Sequence, residues 1–254
     1  MITINKSYNP IGFLSGSTLK ILACIFMAFD HVGVVFFPRE EIFRMIGRIA
    51  FPLFAYFIAE GCKYTKNKLQ RFLTVFIIGS LYVLFYYIYE GEIYCNIFIT
   101  FSISIAAIFL LQLIKRLIFN DKKIGLAILT AIALLLILVA TTYLSSIVYL
   151  EYGFRGVILA LLVSFFDFKG VNAPKWLARL DNHFTELILF TAGLLLLCIN
   201  ANQGELQFFS LIAVVLLLFY NGAVGSKKLK YAFYIFYPAH LLIIEGLSIV
   251  LTYL

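Results

Sequence analysis

Charged residues make up only 13% of this 254-residue chain, about half their share in an ordinary soluble domain. With 63% hydrophobic residues and a mean hydropathy of +1.00, the chain cannot hide its apolar surface in one aqueous core. The four cysteines, Cys24, Cys62, Cys95 and Cys198, form no CxxC pair and no metal-ligand spacing, which argues against a disulfide framework and a zinc site. GxSxG, HExxH, Walker A and Rossmann fingerprints are all missing, so nothing supports a soluble hydrolase, zinc peptidase, ATPase or dehydrogenase. No soluble domain, low-complexity linker or internal repeat interrupts the chain, and the longest polar stretch is Asp167 to His183. Residues 1–254 therefore read as one integral membrane domain, with 1–18 as a short cytoplasmic segment. No cleavable signal peptide is visible, and Leu19 to Phe37 is expected to remain as a signal anchor.

What the chain has is apolar runs, nine of them. They cover roughly 19–37, 43–61, 72–89, 94–114, 125–149, 153–167, 184–199, 206–220 and 231–252, each near the ~20 residues that a hydrocarbon core requires. The expected fold is an all-α polytopic bundle of about nine transmembrane helices in a bacterial cytoplasmic (inner) membrane. Loop charge sets the orientation, because Lys and Arg accumulate on the cytoplasmic side. With the N-terminus inside, that side receives Lys6, Lys20, Lys63, Lys66, Lys68, Arg71, Lys115, Arg116, Lys122, Lys123, Lys169, Lys175, Arg179, Lys227, Lys228 and Lys230. Only Arg39, Arg44, Arg48 and Arg155 fall opposite. The net charge of +7 then reflects topology and attraction to anionic headgroups, not nucleic-acid binding. Tyr86, Tyr87 and Tyr89 resemble an interfacial aromatic belt.

Against this background Asp30 and His31 stand out near the middle of the first run. A carboxylate at the centre of a lipid-embedded helix costs roughly 2.5–3.5 kcal/mol on insertion scales, so it normally faces a partner, a cavity or chemistry. At about 1.5 Å per residue, Asp30 lies roughly 17 Å and His240 roughly 14 Å above the cytoplasmic boundary. Two of the chain's three histidines thus share one level. Arg48 comes out about 7–8 Å below the outer boundary, near the depth of Glu245, with which it could pair. Pro52 and Pro238 remove backbone donors beside Arg48 and His240.

Each of these residues also has a plain structural reading. Asp30 and His31 could serve only to bond a neighbouring helix, His240 could be a satisfied core histidine, and Glu60 and Glu186 could reach headgroups. Arg155 fits a headgroup anchor or a lining residue of an active site. By residue chemistry alone, group transfer and proton-coupled transport stand level. A histidine can take a proton from an amine or hydroxyl, and an arginine can stabilise an oxyanion.

The segments LKILACIFMAFDHVGVVFFP (19–38), GRIAFPLFAYFIAEGCKYTKN (47–67) and YNGAVGSKKLKYAFYIFYPAHLL (220–242) resemble, in order and spacing, the TraX family of bacterial integral membrane proteins. That family is associated with N-acetylation of conjugative pilin and is grouped with transmembrane acyltransferases. The resemblance implies a membrane acetyl- or acyltransferase that uses acetyl-CoA or another acyl-CoA, with no metal. Asp30, His31, Arg48, Glu60 and His240 carry over as motif positions, and Glu151-Tyr152-Gly153, Asn96 and Thr100 match lesser elements. Gly79-Ser80-Leu81-Tyr82 stands where the family tends to have an acidic residue and a proline, a departure that bears on the acceptor.

The catalytic set expected is therefore His31, Asp30, His240 and Arg48. Lys63, Lys66, Lys68, Arg71, Lys227, Lys228 and Lys230 are expected to meet the phosphates of the acyl-CoA. Glu60, Asn96, Arg155, Tyr237 and Glu245 are expected to line the substrate site. The acceptor would be a pilin-like peptide, a lipid or a glycan, with no nucleic-acid partner. The alternatives are a proton-coupled transporter and a non-catalytic assembly factor for conjugation or the envelope.

Overall fold

The computed structural model of the protein describes residues 12–199, 204–226 and 230–252. The chain is 77% helical, because in lipid a backbone must satisfy its own hydrogen bonds and a helix does so within one segment. Five stretches are long and apolar enough to cross a membrane: Gly16–Phe36, Glu41–Tyr64, Lys68–Glu90, Ile97–Phe119 and Ile124–Ile147. The other four apolar runs are helical too, but shorter in their apolar part. Five candidate spans are what length and composition establish among the described residues.

Packing divides the chain into two compact units, residues 58–193 and residues 8–57 with 194–254. The first contains α4 (Lys68–Glu90), β1 (Tyr94–Cys95), α5 (Ile97–Phe119), α6 (Ile124–Ile147), β2 (Tyr149–Leu150), α7 (Gly153–Val163), the short α8 (Lys175–Ala178) and most of α9 (His183–Cys198). Its hub is α5, against which α4, α6 and α7 all pack. The hub can be approached closely because its buried face carries Ser102, Ser104 and Ala107, the small residues favoured where membrane helices meet. Ser104 Oγ donates to the Thr100 carbonyl at 2.8 Å and Ser102 Oγ to Ile99 at 2.7 Å, so burying these hydroxyls leaves no donor unmet.

The start of α5 is fixed by Asn96, which is fully buried. Its side-chain oxygen accepts from Phe98 N at 2.8 Å, capping the helix, while its amide donates to the Gly79 carbonyl of α4 at 3.0 Å. Glu151 adds a carboxylate at the same terminus by accepting from Ile97 N at 2.9 Å, where the positive end of the helix dipole favours it. β1 and β2 pair in parallel over two residues, Tyr94 with Tyr149 and Cys95 with Leu150, an irregularity that the sequence did not announce. At the other end, the run expected to stop near residue 114 continues as helix to Phe119. Lys115 is consequently not a loop cation: it is buried and donates to the Ser164 and Asp167 carbonyls, both at 2.9 Å, taking up acceptors left where α7 ends.

The second unit holds α1 (Gly16–Phe36), α2 (Glu41–Gly47), the first half of α3 (Ala50–Tyr64), a 3-10 helix (Gly204–Leu211), α10 (Ile212–Leu218) and α11 (Lys230–Thr252). Ser15 caps α1 by accepting from Thr18 N at 3.2 Å. The loop after α10 wraps this start: Leu14 N donates to Phe219 O at 2.9 Å, Gly16 N to Ala223 O at 2.8 Å, and Ser17 Oγ to Val224 O at 3.1 Å. Gly225, at φ 76, lies so close to Ser17 Oγ that a β-carbon there would collide at 2.5 Å. α1 packs against α2 and α11, and α2 also packs against the 3-10 helix.

Replacing Asn96 with Ala removes a helix cap and leaves the buried Gly79 carbonyl without its donor. The expected cost is about 1–3 kcal/mol, seen as a lower thermal unfolding midpoint in detergent, and Asn96→Asp, which keeps the capping acceptor but sets a buried carboxylate against the Gly79 carbonyl, should not restore it.

Candidate functional site

The polar residues of the second unit gather where α1, α2 and α11 meet. Asp30 on α1 receives Arg44 of α2, whose Nη1 donates to Oδ2 at 2.8 Å. Close approach is possible because Gly47 faces Asp30; a β-carbon at position 47 would overlap the carboxyl group. Gly33, one turn further along α1, likewise gives space to Phe43, and Phe43 stacks between Phe29 and Phe37 at centroid distances of 6.1 and 5.0 Å. Two glycines thus press α1 and α2 together at the level of the carboxylate.

Arg48 sits at the joint between α2 and α3. The helix tightens there, with Ile49 N donating to Ile46 O at 3.2 Å, and Pro52 follows without an amide donor. Arg48 is only 3% exposed, and its Nε and Nη2 have no hydrogen-bond partner among the described residues. It is close enough to act electrostatically on both Asp30 and His31. Arg44, not Arg48, makes the ion pair with Asp30, and Glu245 lies on an exposed face of α11. Asp30 Oδ1 is also buried without a hydrogen bond.

His31 and His240 face each other edge to face, with ring centroids 5.0 Å apart. His240 is 6% exposed, stacked on Phe236 at 4.8 Å and edge-on to Tyr237 at 5.7 Å. Its Nδ1 lies 2.9 Å from the Phe236 carbonyl oxygen. A carbonyl can only accept, so Nδ1 carries the proton in this contact, and a neutral ring then presents Nε2 as a bare lone pair. That Nε2 is buried and has no partner among the described residues. The four residues expected to do chemistry, Asp30, His31, Arg48 and His240, therefore come together with Tyr237 in one unit. Arg44 is the member that sequence reasoning missed as the partner of Asp30, although Gly47 one turn away marked the gap that lets Asp30 in.

The remaining expected residues are distributed elsewhere. In the other unit, Lys63 is buried between two carboxylates, Glu60 at 3.1 Å and Glu186 in closer contact, so its charge is already matched. Arg71 donates from Nη2 to the Ile58 carbonyl at 3.1 Å and lies against Gly61. Lys68 rests over the Phe109 ring at 4.9 Å, and Lys66 is exposed. Asn96 is the α5 cap described above, and Arg155 is half-buried in the first turn of α7. Lys227 and Lys228 fall outside the described residues, and Lys230 begins α11.

Several helices long and apolar enough to cross a membrane, with a buried cluster of Asp, Arg and His among them, define a helical membrane protein with a polar centre. The family model described as "TraX protein" matches residues 15–248, and the chain belongs to the TraX family. It is 27% identical over 244 residues to a probable fimbrial assembly protein FimC, serogroup H1, of Dichelobacter nodosus, covering 89% of this chain and 93% of that protein. It is 36% identical over 87 residues to an uncharacterized protein of Rickettsia prowazekii (strain Madrid E), covering 28% of this chain and only 35% of that protein. No solved structure matches.

Removing Lys63 takes away the cation that bridges the buried Glu60 and Glu186. Lys63→Met should cost about 3–5 kcal/mol and lower the yield of folded protein in detergent. Adding Glu60→Gln and Glu186→Gln should restore most of that loss; a Lys63→Met protein as stable as the unaltered chain would show that the triad contributes little.

Proposed function

We propose that the protein is a membrane-embedded acetyl- or acyltransferase that moves an acyl group from acyl-CoA to an amine or hydroxyl acceptor. The observation that carries this reading is the His240 ring, locked by Phe236 so that a bare Nε2 is held in a buried site beside His31 and near unpaired guanidinium donors. A general base must present a free lone pair, and an oxyanion site must hold donors in reserve. Each unpaired donor or acceptor would cost stability unless a ligand used it.

In the reaction that fits, His240 Nε2 takes the proton from the acceptor N–H or O–H as that atom attacks the thioester carbon. The carbonyl oxygen becomes an oxyanion beside Arg48 Nε and Nη2. When the tetrahedral species collapses, the C–S bond breaks and the proton on Nε2 passes to the departing sulfur, giving CoA thiol. Asp30, held by Arg44, offsets one of the cluster's two guanidinium charges, and its Oδ1 remains to accept from the incoming acceptor. His31, edge-on to His240, fixes the plane of that ring. No side chain in the cluster is a covalent nucleophile of the serine or cysteine type, so transfer is direct.

The chain is further proposed to cross a bacterial inner membrane nine times with the N-terminus inside, as a single membrane domain, which brings acyl-CoA from the cytoplasm. Lys66 and Lys68 are the cations best suited to its phosphates, together with Lys227, Lys228 and Lys230; Lys63 is matched by two carboxylates. The acceptor class is a surface-filament subunit of the pilin kind, or an envelope lipid or glycan, and the named fimbrial assembly relative favours the former.

Purified protein in lipid nanodiscs, given labelled acetyl-CoA and membranes from cells lacking the gene, should transfer label to a membrane acceptor. His240→Asn should reduce that rate at least 100-fold, and Arg48→Gln by about 100-fold; solute uptake driven by a pH gradient without any transfer would instead favour a transporter. Single cysteines placed at residues 66 and 122 should be shielded from membrane-impermeant reagents in intact spheroplasts, and one at residue 91 labelled; the reverse pattern contradicts the orientation.

A further inference from the structure

One more buried polar group in the same unit has no partner. Gln207 lies on the 3-10 helix at 3% exposure, and its side-chain Nε2 makes no hydrogen bond among the described residues. Its backbone is well held: the Gln207 carbonyl accepts from Cys198 Sγ at 3.4 Å, and the same sulfur contacts Ser210 Oγ at 3.7 Å. The backbone at Gln207 is therefore held, while its buried side-chain donor is left unmatched among the described residues. That 3-10 helix packs on α2, the helix that ends at Arg48 and carries Arg44. Among the described residues of this unit, the buried side-chain atoms without partners are Asp30 Oδ1, Arg48 Nε and Nη2, Gln207 Nε2 and His240 Nε2. Three of these residues belong to the proposed acyl-transfer centre, and Gln207 belongs to an element packed directly on it.

We infer that Gln207 is a further residue of the acyl-transfer site, whose amide N–H donates to the acyl oxygen alongside Arg48 as negative charge develops there. This rests on the acyltransferase reading. An oxyanion in a site of low dielectric is best met by more than one fixed donor, and a neutral amide adds one without adding charge to a cluster that Asp30, Arg44 and Arg48 already occupy. The sequence offers no hint of it, because a glutamine at the start of an apolar run reads as an interfacial residue.

The test uses Gln207→Met, which keeps the side chain's length but removes the donor, in the nanodisc assay with labelled acetyl-CoA and membranes from cells lacking the gene. The expected result is about a 100-fold lower turnover, with little change in KM for acetyl-CoA and an unfolding midpoint close to that of the unaltered protein, since Nε2 has no hydrogen bond among the described residues to lose. A variant that retains full turnover while His240→Asn abolishes it overturns the role of Gln207 and leaves the acyltransferase reading standing. A loss of activity that only follows a loss of folded protein also overturns it, as a structural role would produce that. Failure of the unaltered protein to transfer label overturns both.

Discussion

The Arg44–Asp30 ion pair, 2.8 Å long and set within apolar helices, is the interaction on which the polar centre depends. A carboxylate at this depth is tolerated only with a cation beside it, and the cation can arrive only because Gly47 leaves room for α2 to lie directly on Asp30. Once α1 and α2 are fixed in this register, His31 is turned toward α11 and Arg48 is carried to the joint where α2 gives way to α3. Breaking the pair would leave an uncompensated charge in an apolar setting, so the cluster is over-determined in geometry even though several of its atoms lack partners.

Buried donors and acceptors are nearly always paired, yet this unit holds a guanidinium with two unpaired nitrogens, a carboxylate with one unpaired oxygen and an imidazole with a free nitrogen. The Glu60–Lys63–Glu186 cluster of the other unit forms a useful contrast. There one lysine bridges two carboxylates, which is how a chain closes a buried charge for structural reasons. The Asp30 centre leaves Arg48 Nε and Nη2 and His240 Nε2 without hydrogen bonds among the described residues, and the proposed transfer rests on these atoms.

Much of the helix inventory was legible in the sequence because hydropathy alone decides where a chain in lipid must be helical. Each of the nine apolar runs is helical, and the depth estimates brought Asp30, His31 and His240 to one level. Arg48 was also recognised, from its place beside Pro52. Partner choice was not legible. Arg44 and Arg48 share a face, and only the packing of Gly47 on Asp30 decides that the former makes the ion pair. Lys63 and Lys115 read as loop cations because they stand at the ends of apolar runs, but long side chains there can fold inward to carboxylates or carbonyls. Gln207 and the two-residue pairing of β1 with β2 leave no periodic signal.

The protonation of one ring tests the account most directly. With only three histidines in the chain, nitrogen-15 spectra of histidine-labelled protein in lipid can be assigned by comparison with His240→Asn. The account predicts a neutral His240 with its proton on Nδ1 and a bare Nε2, and a shift of the Nε2 signal on adding a non-hydrolysable acetyl-CoA analogue together with acceptor membranes. A His240 that carries its proton on Nε2 would have no base to offer, and would contradict the proposed transfer chemistry.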